Sequence, residues 1–223
     1  NHVALVGLGL ISSSIALTIK RKNKKIRITG TSRSLKTREL AKKLKICEVF
    51  DNISDTIRDA DLVILCVPVG AMSKVSKELH YALKKGATIT DVGSVKKEVI
   101  AQVKPNLPDN VYFIPGHPIA GTEESGPQAG INNLFEGRWC ILTPDDTVPE
   151  RQIDKLKNFW TFLGSSVKYM TPEHHDLVLA VTSHAPHLIA YTMVGVADEF
   201  SKISNSEIID YSAAGFRDFT RIA

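Results

Sequence analysis

Short apolar runs alternate with longer stretches of mixed polarity over residues 1–170. His2–Val6, Ile26–Thr29, Leu62–Val67, Ala87–Asp91 and Val111–Pro115 are rich in β-branched residues, and their near-continuous apolar character predicts strands covered on both faces. The segments between them, Ser12–Lys20, Thr37–Leu44, Met72–Leu83 and Lys96–Val103, repeat apolar residues at helical spacing. Strand and helix in alternation predict an α/β fold with a doubly wound, mostly parallel sheet. Further along, a strand is predicted at Arg138–Leu142, a helix over Arg151–Leu163 and a strand at Ser166–Met170.

The pattern changes at Thr171-Pro172-Glu173, which reads as an N-cap, a first-turn proline and a first-turn acid before a helical pattern that runs through Ala197. A domain boundary is therefore placed there: residues 1–170 form one domain, and residues 171–223 an all-helical second one. Another helix is predicted from Ser204. The helical pattern stops at Thr220-Arg221-Ile222-Ala223 with no capping signal, so the second domain is expected to be truncated. There is no internal repeat.

Composition narrows the classes. With 43% hydrophobic and 23% charged residues the 223-residue chain is ordinary for a globular protein. No uninterrupted apolar run approaches the roughly 18 residues that cross a bilayer, so no membrane association is expected. The apolar start lacks a basic leader region, and a cytoplasmic location is the expectation. A net charge of +4, with lysines grouped at 20–25 and 42–45 and few aromatics among them, does not suggest nucleic-acid binding. Cys47, Cys66 and Cys140 fit neither a disulfide framework nor a zinc site and are expected to be reduced packing residues.

Gly7-Leu8-Gly9-Leu10-Ile11-Ser12 lies between the first strand and the first helix, where a Rossmann-type sheet places its dinucleotide turn. Gly7 permits the turn. Gly9 lets the backbone approach a pyrophosphate, and the helix start at Leu10 and Ile11 supplies N–H groups. Ser12 stands where the pattern has its third glycine. An NAD site usually ends its second strand with an acid; here Ser32, Arg33 and Ser34 follow it instead, a set suited to a 2′-phosphate, so NADP is expected, with NAD as the alternative. Cys66, Val67 and Pro68, at another strand end, are candidates for cofactor contact.

Two further strand ends carry polar clusters: Asp91-Val92-Gly93-Ser94-Val95-Lys96 and Gly116-His117-Pro118-Ile119-Ala120-Gly121-Thr122-Glu123. Asp91 and Gly93 are assigned to the cofactor side. His117, in a loop shaped by its flanking glycines and proline, is the candidate base that takes a hydroxyl proton as hydride leaves the same carbon, with a serine to orient it. Arg217 and Arg221 lie four apart on one helix face and suit an anionic substrate. No metal site is expected: the His174-His175-Asp176 run reads as an exposed helix start, and His184 and His187, three apart on a helix, are not taken as metal ligands.

These residues resemble the prephenate and arogenate dehydrogenases, whose sequences combine GLGLIGxS, DxGSxK, HPxAGxExSG, SHxPH and FxDFTRIA. The corresponding stretches here are Gly7–Ser14, Asp91–Lys96, His117–Gly126, Ser183–His187 and Phe216–Ala223, in the same order. The resemblance implies oxidative decarboxylation of prephenate or arogenate with hydride transfer to NAD(P), on the route to tyrosine. It implies that His117 engages the ring hydroxyl, with Ser94 hydrogen-bonded to both. It further implies that Thr122 and Glu123 line the substrate pocket, that His187 and Arg221 bind substrate with Arg217 a second candidate, and that the helical domain builds a homodimer. Two rivals stay open: another Rossmann dehydrogenase of the β-hydroxyacid type, and an NADP-binding sensor without turnover, which would need neither His117 nor Arg221.

Overall fold

The protein is described here by a computed structural model covering residues 1–199 and 213–221. The helix predicted from Ser204 therefore begins outside the described residues, as do Ile222 and Ala223. The chain divides into two compact units, residues 1–175 and 176–223.

The first unit is built on a six-stranded parallel sheet. Its strands are β1 (His2–Val6), β2 (Arg27–Thr31), β3 (Glu48–Val49), β4 (Leu62–Leu65), β5 (Thr88–Asp91) and β6 (Tyr112–Phe113), arranged 3-2-1-4-5-6. This is the doubly wound order, whose chain reversal between β1 and β4 opens a crevice at the carboxyl ends of the strands. All five residues of β1 are buried because helices cover both faces of the sheet. One face carries α1 (Leu10–Lys22), α2 (Leu35–Lys43) and α6 (Glu150–Leu163), where Ile15, Ile19, Leu156 and Trp160 pack on Val3 and Leu5. The other carries α3 (Ile53–Ile57), α4 (Met72–Leu79) and α5 (Lys97–Val103), where Met72, Leu79 and Val103 pack on Ala4, Val63 and Ile89. β3 and α3 were not predicted: two and five residues are too short to show a period.

The strands expected at Arg138–Leu142 and Ser166–Met170 form, as β8 (Trp139–Leu142) and β9 (Ser166–Tyr169), a separate sheet. Its third member, β7 (Gly116–Pro118), had been read as a loop. β7 runs antiparallel to β8 with His117 opposite Ile141, and its edge position tolerates Pro118.

From Pro172 the chain is helical: α7 (Pro172–Leu179), one π turn (Ala180–His184) and α8 (Ala185–Glu199). Pro186 has no N–H and its ring crowds the carbonyl four residues back, and the π turn takes up this defect. The run Pro172–Glu199 is long and apolar enough by length and composition to cross a membrane, with a mean hydropathy of 1.4 over its best window. The expectation concerned uninterrupted apolar runs and stands, because Thr, Ser and His residues break this stretch into short ones. In the second unit, the helix Ala214–Thr220 packs on α8.

Candidate active site

The glycine turn is forced by space. Gly7 ends β1 at φ 101°, and a Cβ on it would stand 2.3 Å from the Cys66 carbonyl oxygen. Gly9 differs: a Cβ there would meet nothing within 4 Å, so its bare backbone faces an open cradle at the start of α1. Ser12 is fully buried, and its hydroxyl oxygen accepts the Gly9 N–H at 2.8 Å, so the residue that replaces the third glycine ties the turn to the helix. These features fit the pyrophosphate of a dinucleotide: a close backbone approach, an open cradle and a helix N-terminus.

The turn opens into a cleft of about 760 Å³ that gathers most of the residues expected to hold a cofactor: Gly7, Gly9, Ser32, Arg33, Ser34, Cys66, Val67 and Pro68. Leu10 and Ile11 do not line it; they lie in the first turn of α1. Ser34 has a second task, since its oxygen accepts the Thr37 N–H at 3.2 Å as the N-cap of α2. Two residues not singled out from sequence frame this wall. Arg38 donates to the carbonyl oxygens of Ser32 and Arg33 at 2.6 and 3.2 Å, and its Nε lies 3.2 Å from Asp51, another lining residue. Only the packing of α2 against the loop after β3 brings Arg38 and Asp51 together.

Asp91 and Gly93 are not among the residues that line the cleft. Asp91 and Lys96 form an ion pair in which neither side chain is exposed. The Asp91 carboxylate also accepts the Gly93 N–H at 2.8 Å and the Gly116 N–H at 3.1 Å, while Lys96 donates to the Gly116 carbonyl at 2.6 Å. Both polar groups of Gly116 are thus held by one buried pair, next to His117. Space is tight at Gly116, where a Cβ would sit 3.0 Å from the Thr90 hydroxyl and 3.1 Å from the Asp91 carbonyl oxygen.

His117 is half-buried on β7, next to Gly116, whose N–H meets Asp91 at the carboxyl end of β5, the same edge of the parallel sheet that carries the glycine turn. Its Nδ1 lies 2.9 Å from Nε2 of His175, a fully buried residue of α7 that the sequence had suggested was exposed. The one sequence sign of its burial is its i, i+4 relation to Leu179, also buried. Ser94, expected to orient His117, is an exposed residue on the turn after β5. Thr122 and Glu123 stand on the exposed loop after β7, where the Thr122 hydroxyl accepts the Glu124 N–H at 3.2 Å. That loop returns to the cofactor cleft at Gly126, and its continuation is fastened to α1 by the Ile131 N–H donating to Ser14 Oγ at 2.9 Å. The three cysteines are free thiols, and burial raises all three, Cys47 to about 12.

In the second unit His187 is exposed, and its Nδ1 lies 2.7 Å from the Ser183 carbonyl, which leaves Nε2 as the acceptor. Arg217 and Arg221 are exposed at the end of the helix Ala214–Thr220. Among the described residues no group of three or more His, Cys, Asp or Glu is placed to hold a metal ion.

Glycine turn, cleft and edge histidine on a doubly wound sheet define a pyridine-nucleotide-dependent oxidoreductase. Residues 15–169 match the family description prephenate dehydrogenase, nucleotide-binding domain, and residues 171–223 match prephenate dehydrogenase, dimerization domain. The chain belongs to the prephenate dehydrogenase family. It is 44% identical over 223 residues to the cyclohexadienyl dehydrogenase of Zymomonas mobilis, covering 76% of that protein, and 35% identical to the prephenate dehydrogenase of Bacillus subtilis, covering 60% of it. Its fold is similar to that of the A. aeolicus prephenate dehydrogenase solved in complex with hydroxyphenyl propionate and NAD+, with TM-score 0.88, 35% identity, and coverage of 100% of this chain and 77% of that one.

Proposed function

We propose that this protein oxidatively decarboxylates prephenate, arogenate or both, with NADP as the preferred hydride acceptor. The observation that carries the reading is His117: one ring nitrogen is engaged from behind by His175, and the ring stands at the sheet edge that also bears the dinucleotide turn. A dinucleotide held by the Gly7–Gly9 cradle would supply the acceptor for the hydride that leaves the carbinol carbon of the ring. His117 Nε2 takes the hydroxyl proton at that carbon and returns it to the oxygen as the ring loses carbon dioxide and becomes aromatic, so no net proton is released. Arg221, with Arg217 as second candidate, and His187 are assigned to the substrate, whose carboxylates call for cations. Thr122 and Glu123 are assigned to its pocket and Ser94 to its hydroxyl.

Ser32, Arg33 and Ser34 are assigned to the 2′-phosphate. Support comes from the start of α2 at Ser34 and from Asp51 on the same wall being paired with Arg38 and Lys42, which lessens its repulsion of an anion. We place the protein in the cytoplasm as a homodimer. Leu177, Val181 and Leu188 fall on one exposed face of the run Pro172–Glu199, within the stretch that matches a dimerization domain, and Asp176, His184 and Pro186 on that helix speak for a protein partner over a lipid one. Sedimentation velocity showing only monomers would remove the dimer.

An absorbance assay for NADPH with each substrate tests the activity. Formation of NADPH together with the aromatic product is expected from at least one. Binding of NADP without turnover of either substrate would favour the sensor.

A further inference from the structure

His175 has two properties that are rare together: its side chain has no solvent exposure, and its Nε2 lies 2.9 Å from Nδ1 of His117. The rings meet edge to face, at 63° with centroids 5.1 Å apart. Both are held on fixed backbone. His175 sits in the first turn of α7, its N–H bonded to the Thr171 carbonyl at 2.9 Å, while the Thr171 hydroxyl accepts the His174 N–H at 3.2 Å. His117 follows Gly116, whose N–H and C=O are both gripped by the Asp91–Lys96 pair.

Only one hydrogen fits between two nitrogens at this distance, so one imidazole donates and the other accepts. Burial decides which. A fully desolvated imidazolium at His175 is costly, whereas His117 is half-exposed and can carry charge. His175 is therefore the neutral acceptor and His117 Nδ1 the donor, so in neutral His117 the ring hydrogen is on Nδ1 and Nε2 carries none.

We propose that His175 is a positioning residue that fixes the tautomer and orientation of His117, presents Nε2 as the base, and stabilises the imidazolium formed when Nε2 takes the substrate proton. This rests on the reading of His117 as that base. A carboxylate in the same place would bring a buried negative charge; a neutral imidazole does the task without one. Other titratable or charged groups around the pair are Asp91 and Lys96 beside Gly116, Cys140 on β8, and Glu173, His174 and Asp176 on α7 itself. Asp91 and Lys96 offset one another, and burial keeps the Cys140 thiol neutral.

The test uses the full chain with His175→Leu and His175→Gln. Leucine fills the buried volume but accepts no hydrogen bond; the glutamine oxygen can accept one. His175→Leu is expected to lower kcat by roughly 10- to 100-fold, to leave the KM for NADP unchanged, and to move the acid limb of the kcat profile to lower pH, because the imidazolium loses its acceptor. His175→Gln is expected to recover most of kcat and the position of that limb. Wild-type kcat in His175→Leu overturns the proposal. So does equal loss in both variants with an unmoved limb, which marks a packing role, or a shift to higher pH, which marks His175 as a cation. Should either variant fail to fold, the nitrogen-15 shifts of the wild-type imidazoles decide: a hydrogen on His117 Nδ1 supports the proposal, and one on Nε2 of neutral His117 overturns it. His117→Asn separates the two readings, because full activity there removes the base itself, whereas inactivity there with an unaffected His175→Leu removes only the role of His175.

Discussion

Lys96 and Asp91 form an ion pair from which water is wholly excluded, and between them they hold both the N–H and the C=O of the residue before His117. Removing one partner leaves an uncompensated buried charge, which typically costs about 3–5 kcal/mol. Lys96→Met should lower the unfolding free energy by that amount, and the loss in kcat among the molecules that remain folded should exceed any change in NADP affinity. Chemical denaturation with parallel kinetics checks this. Stability within 1 kcal/mol of wild type, on the same scale of cost, would show that the pair is dispensable.

Gly7 and Gly9 should respond oppositely to alanine. At Gly7 the backbone is left-handed and a Cβ would overlap the Cys66 carbonyl, so Gly7→Ala should cost at least about 2 kcal/mol of stability. At Gly9 the space is open, so Gly9→Ala should keep the melting temperature yet raise the KM for the cofactor. Equal thermal loss in both variants would contradict the assignment of the Gly9 cradle.

Arg33→Asp should shift preference from NADP toward NAD by roughly tenfold or more, the scale of one charge-assisted hydrogen bond of about 1.5–3 kcal/mol. The ratio of kcat/KM for the two cofactors reads this directly. An unchanged ratio would move the 2′-phosphate away from the Ser32–Ser34 loop.

His117→Asn should reduce kcat by roughly 10² to 10⁴, the usual loss when a positioned base is removed. Cofactor binding measured by fluorescence titration should change little, because His117 is not among the residues that line the dinucleotide cleft.

At acid pH a different pair matters. Lys104, then the Thr147 N–H, hold the Asp145 carboxyl down at about 2. Because the folded value lies below the unfolded one, this stabilisation is present above the ordinary carboxylate value and is lost as the pH falls toward 2. Lys104→Met should cost no more than about 1 kcal/mol at pH 7, since the pair is partly exposed, and progressively less as the pH falls through about 2. Thermal melts across that range check it; a difference that does not shrink as the pH falls would point to packing instead of charge.

Local rules were enough to read the alternation of strand and helix, the glycine turn, the basic loop after β2 and the helical character beyond Thr171 from the sequence. Each depends on residues close in the chain: a period of apolar positions, a glycine where no side chain fits, an N-cap before a proline. Tertiary structure decided the rest. Gly116–Pro118 is a strand only because β8, more than twenty residues later, lies beside it. Asp91 also clamps Gly116, because the chain returns to it from the far side of α5. His175 became the partner of His117 across 58 residues, a pairing that no local pattern names. The division follows from the physics: backbone propensity and periodicity act over a few residues, whereas burial and the pairing of polar groups are settled by which distant segments pack together.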